Sequence, residues 1–164
     1  MSSTELLGVY LTDHLAGSTA ALDHVEKMYR GDDGSPLAVF LAELERDIQA
    51  DREVLEDLIG RLGVDKSPIT QAKQAAASIV EKVGRLKFAE PVTGSADLSR
   101  LLELEALALG IEGKHAMWRV LNRLAPSDPR LAELDYGELM ERARRQADGV
   151  ERYRLEAAAK AFAP

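Results

Sequence analysis

Four stretches of the chain, each roughly 26 residues long, carry apolar side chains at three- and four-residue intervals, and none alternates as a strand would. A helix of that length is a rod of about 40 Å, too long to bury its stripe except against other rods laid alongside it. The first predicted helix runs from Thr4, read as its N-cap, to Tyr29, with Leu7, Leu11, His14, Ser18, Ala21, Val25 and Met28 at heptad spacing. The second begins at Ser35-Pro36, a cap followed by proline at the first helical position, and ends at Leu62 before Gly63. Its stripe is Leu37, Leu41, Leu44, Ile48, Asp51, Leu55, Leu58 and Leu62. A shorter Ala-rich helix is predicted over Ser67–Phe88, a fourth over Asp97–Leu124, and a fifth over Asp135–Ala161 after a break marked by Pro126 and Pro129.

The links between the first and second helices, and between the fourth and fifth, are short, so each pair is expected to be antiparallel. The second and fourth are joined by a long link containing the Ala-rich helix, long enough to carry the chain back along the bundle. The fold expected is therefore all-α: one domain over residues 1–164, an antiparallel four-helix bundle with an additional crossover helix.

Composition removes several chemistries. There is no cysteine, so disulfides, thiolate zinc sites, iron–sulfur clusters and cysteine nucleophiles are excluded. A net charge of −7 argues against a nucleic-acid partner, which needs clustered cations. No apolar run approaches the roughly 20 residues of a membrane span, and Met1–Tyr10 lacks a basic region followed by an apolar run, so a cytoplasmic protein is expected. Gly31-Asp32-Asp33-Gly34 lacks the Lys and Ser/Thr of a phosphate loop.

The stripes are interrupted by polar groups, and these interruptions locate any chemistry. His14 and Ser18 break the first, and Asp51 breaks the second, with Asp47 one turn earlier. On the fourth helix Glu105, Glu112 and His115 fall within the apolar arc, while Glu103 and Lys114 fall on the opposite, wet side. In the crossover arrangement His14, Asp51 and the Glu112–His115 pair lie within a turn of one another along the bundle axis, facing the part of the fifth helix around Gln146, Asp148 and Glu151. Ionisable groups there must be paired or metal-bound. One reading is a metal centre of Fe or Mn built from His14, Asp47, Asp51, Glu112 and His115, since imidazole and carboxylate suit those ions. The other is a metal-free hydrogen-bond and ion-pair network in a helical module that associates with itself as a homo-oligomer or with a partner. Glu105 is expected level with Arg154 in a buried salt bridge, and His24 at the surface. Trp118 and Tyr10 are expected in or beside the core. The Arg-rich run Arg142, Arg144, Arg145, Arg152 and Arg154, interleaved with acids, reads as a solvated face. Gly17, Gly110 and Gly113 sit inside helices, either for close helix approach or to leave room beside the polar cluster.

Glu112-Gly113-Lys114-His115 resembles the Glu-x-x-His motif of the ferritin-like di-iron and di-manganese proteins. Asp13-His14-Leu15-Ala16-Gly17 and Leu102-Glu103-Leu104-Glu105 are similar to stretches of small bacterial ferritin-like proteins. The resemblance implies a ferritin-like bundle and a site for Fe or Mn. The chain departs from the pattern in having one Glu-x-x-His instead of two, and His14 where a glutamate is expected.

Overall fold

A computed structural model describes residues 2–32, 34–63 and 95–163. The described residues form four α-helices and no strand: α1 (Ser3–Tyr29), α2 (Pro36–Leu62), α3 (Ala96–Leu124) and α4 (Tyr136–Ala161). Short 3-10 turns at Ala125–Ser127 and Pro129–Leu131 join α3 to α4. The Ala-rich helix expected over Ser67–Phe88 lies outside the described residues.

Each helix starts where a side chain can satisfy an orphan backbone N–H. Ser35 accepts from the Ala38 N–H at 3.0 Å, with Pro36 behind it, as its sequence position requires. Asp135 accepts from Glu138 N–H at 2.9 Å and Ser95 from Leu98 N–H at 3.2 Å. The cap of α1 is Ser2, not Thr4. Ser2 and Glu5 form a reciprocal capping box, which satisfies two donors at once, whereas Thr4 accepts from Arg130 at 3.2 Å and ties the α3–α4 turn to α1. Gly63 ends α2 at φ +60°, the left-handed conformation that costs glycine least.

Cross-helix pairs fix the directions of the rods. His24 meets the Glu103 carbonyl and Arg100 donates to the Met28 carbonyl, so α1 and α3 are antiparallel. Glu105 meets Arg154 and Lys114 meets Gln146, so α3 and α4 are antiparallel. Asp51 meets Arg142 and Asp47 meets Gln146, so α2 opposes α4 as well. It follows that α2 and α3 point the same way.

Two apolar clusters fill the interior. One holds Val25, Leu41, Leu44, Ile48, Leu104, Leu107, Ile111 and Val150; the other holds Leu11, Leu55, Leu58, Trp118, Leu121, Leu131 and Leu139. Each fully buried Leu contributes about 1.5–3 kcal/mol. The two are separated along the axis at the level of Asp51 on α2, Lys114 on α3 and Gln146 on α4. The polar interruptions of the stripes thus become a layer across the middle of the bundle. Among the described residues, no helix is long and apolar enough to cross a membrane.

Candidate functional site

Asp51 is the centre of the polar layer. It is 3% exposed, and the rung above and below it on α2 is Ile48 and Leu55. Its Oδ2 accepts a hydrogen bond from Lys114 Nζ at 2.5 Å. Its Oδ1 lies 2.7 Å from Arg142 Nη2, an ion pair whose angles fall short of a hydrogen bond. Lys114 also donates to the amide oxygen of Gln146, whose nitrogen reaches Asp47 Oδ2 at 3.4 Å. Three helices therefore meet through two carboxylates, two cations and one amide. Burial pushes the Lys114 ammonium below its ordinary pKa, and Asp51 opposes that shift.

Three expectations about this layer need correction. Glu112 is exposed, and Lys114, expected on the wet side, is the residue that points inward. Arg142 does not belong to a solvated face, because its guanidinium serves Asp51. Asp51 and Asp47 take the inward positions their stripe implies, although Asp47 is only half-buried. His14 is half-buried on α1, where its ring stands edge-on to Tyr10 at 4.8 Å between centroids. His115 is half-buried, and its Nε2 is shut from solvent without a hydrogen-bond partner among the described residues. Among the described residues, no three His, Asp or Glu side chains converge to hold a metal ion. The donor set does not fit Fe or Mn: a ligating carboxylate must offer its oxygens to the metal, and those of Asp51 face an ammonium and a guanidinium.

Glu105 pairs with Arg154 at 3.3 Å as expected, but the two side chains are 39% and 27% exposed. That pair is worth under about 1 kcal/mol. His24 is not a surface residue; it is half-buried and bonded to the Glu103 carbonyl at 3.1 Å.

Beside the polar layer a cleft of about 410 Å³ opens between α1 and α3. His14, Gly17 and His24 come from α1, and Gly110, Lys114 and Trp118 from α3. Among the described residues, no helix approaches the mid-helix glycines closely. A Cβ built on Gly17, Gly110 or Gly113 meets no atom of the described residues within 4 Å. Burial holds both His14 and His24 below the ordinary imidazole value of 6.5. The unfolded chain therefore takes up protons that the folded one resists. The stability contributed by neutral His14 and His24 is complete above 6.5 and is lost as pH falls through their folded-state values. The urea midpoint is expected to fall between about pH 7.5 and about pH 5, and His14→Gln to flatten that fall; equal slopes for the two proteins would contradict the assignment.

No family model, no curated protein and no solved structure matches this chain.

Proposed function

We propose that the chain is a ferritin-like helical bundle serving as a metal-free scaffold, in which the mid-height charges lock helix register instead of binding Fe or Mn. The observation that carries this is the double engagement of Asp51 by Lys114 and Arg142. A metal in the same layer would have to displace two cations held within hydrogen-bonding distance of Asp51, the one fully buried carboxylate among the described residues. The common direction of α2 and α3, each antiparallel to α4, supports the ferritin-like kinship, since an up-down-up-down bundle would oppose them. A charged layer between two apolar clusters suits a scaffold: sliding one helix by a turn would separate Asp51 from its cations and bury them against leucines.

Elemental analysis of protein produced in iron- and manganese-supplemented medium tests the proposal. The expected result is no stoichiometric metal, with an unfolding midpoint unchanged by a strong chelator. One Fe or Mn per chain that disappears in His115→Ala would overturn it. The scaffold is further proposed to act as a symmetric homo-oligomer, for which sedimentation at several concentrations is the direct measurement.

A further inference from the structure

We infer that the cleft between α1 and α3 is the seat of residues 64–94 of this same chain, laid lengthwise against it as a fifth rod. Those residues lie outside the described ones. Three observations on the page favour this seat: where the segment must begin and end, which side of the bundle is open, and how charge is divided along the chain. The docking extends the bundle connectivity proposed above and rests on the directions of the rods, whereas the choice between metal and no metal in the polar layer does not enter.

The ends are fixed by the rods. α2 and α3 point the same way and are level where Asp51 meets Lys114. Gly63 stands 12 residues beyond Asp51, and Ser95 stands 19 residues before Lys114. At roughly 1.5 Å per residue those two ends are about 45 Å apart along the axis. The helix that the sequence predicts over Ser67–Phe88 accounts for about 33 Å of that span, which leaves the nine flanking residues to cover the rest and make both turns. The segment must therefore run down one side of the bundle, along nearly its whole length.

The sides are not equivalent. Between α2 and α4 the seam is closed: Arg142 reaches Asp51, the Tyr153 hydroxyl donates to the Pro36 carbonyl at 3.0 Å, and Phe40 lies against Gly149 where a methyl would not fit. Between α1 and α3 the polar ties, His24 to Glu103 and Arg100 to Met28, sit toward the start of α3. Nearer mid-height the two rods leave the cleft of about 410 Å³, with Gly17 and Ala21 from α1 and Gly110 and Gly113 from α3 in its walls. The distance at which helices pack is set by the side chains at the contact, so walls this small suit a rod whose own stripe is small. The stripe predicted for the segment, Ile69, Ala72, Ala76, Ile79, Val83 and Leu86, is of that kind through its middle. Charge agrees. Residues 64–94 hold five Lys and Arg against three Asp and Glu, a balance of +2, so with a total of −7 the rest of the chain carries −9. A basic segment is drawn to an acidic bundle.

The chain has no cysteine, so an introduced pair reports without background. Gly110→Cys is combined in turn with Ala72→Cys, Ala76→Cys and Ile79→Cys in the full chain, oxidised with copper phenanthroline, and the disulfide followed by gel mobility and the mass of the linked peptides. The control partner is Gln49→Cys, exposed in a separate groove between α1 and α2. At least one segment position is expected to close on Gly110→Cys, within one chain, about tenfold or more faster than on Gln49→Cys, because the reacting thiols are held at short range. The thiol of Gly110→Cys alone should react with iodoacetamide about tenfold more slowly than that of Gln49→Cys. Urea midpoints near the parent's establish that the variants fold. Equal or faster closing on Gln49→Cys would overturn the inference and leave the common direction of α2 and α3, and with it the proposed connectivity, untouched. A disulfide between two chains of Gly110→Cys would overturn it in favour of a second copy. So would a Gly110→Cys thiol as reactive as Gln49→Cys; if added naphthalene then shielded it, the occupant would be a small apolar ligand.

Discussion

Asp51→Ala is expected to lower the unfolding free energy by about 3–5 kcal/mol, the usual consequence of stripping a buried ion pair of one partner. Such a loss is a large share of the roughly 5–15 kcal/mol that holds an ordinary domain together. The reason lies in what remains. Lys114 and Arg142 both face the position of Asp51, and their side chains are only 15% and 23% exposed. Without the carboxylate, two cations repel each other in a space bounded by Ile48, Leu55 and Ile111. Lys114 can relieve part of this by losing its proton, because burial already depresses its pKa. That escape sets the upper limit of the cost. Lys114→Met is expected to be milder, since Asp51 keeps Arg142 and the aliphatic volume is preserved. The double variant Asp51→Leu with Lys114→Met should recover most of the loss, with Arg142 turning its guanidinium outward along its own stem. Urea midpoints at constant m-value measure all three, and with Asp51→Leu as the matching single variant the coupling in the cycle measures the pair. An Asp51→Ala loss below about 1 kcal/mol would mean that the layer is hydrated like a surface pair.

The axial placement of this layer was legible in the sequence, and its orientation was not. Counting residues from the ends of the rods sets Asp51 level with the Glu112–His115 segment, and Lys114 indeed meets Asp51. Rotation about the α3 axis is more delicate, because one residue corresponds to about 100°. Ala108 and Leu109 widen the apparent apolar arc toward Glu112, yet Leu109 is 57% exposed. The narrower run Leu104, Leu107, Ile111, Lys114, Trp118 and Leu121 is the one that faces inward. Lys114 belongs to it by spacing, but a lysine reads as a surface residue. Its long apolar stem is what lets it fill a core position, and nothing in composition distinguishes a lysine that reaches a carboxylate from one that reaches water. Arg142 is hidden for a similar reason, in a run of arginines and acids whose other members, Arg154 excepted, are exposed. The glycines were visible as interruptions, while their purpose depended on the distance between two helices, which a sequence does not record.

Trp118→Ala is expected to cost about 3–5 kcal/mol, comparable to the loss of Asp51 but by a different route. Trp118 is fully buried in the cluster with Leu11, Leu55, Leu121 and Leu139, so truncation opens a cavity with packed walls on its core side. The cleft on its other side permits partial relief, since water can follow the missing ring from the α1–α3 opening. Trp118→Phe separates shape from chemistry. It retains most of the apolar contact and deletes an N–H that has no acceptor among the described residues. The cavity term and the relief of an unpaired donor have opposite signs and similar size, each about 1–3 kcal/mol. Their near cancellation predicts that the phenylalanine variant unfolds within about 1 kcal/mol of the parent, while the alanine variant falls far below both. Thermal unfolding followed by far-UV circular dichroism ranks the three. If phenylalanine proved as damaging as alanine, the indole N–H would have to be making a hydrogen bond in solution.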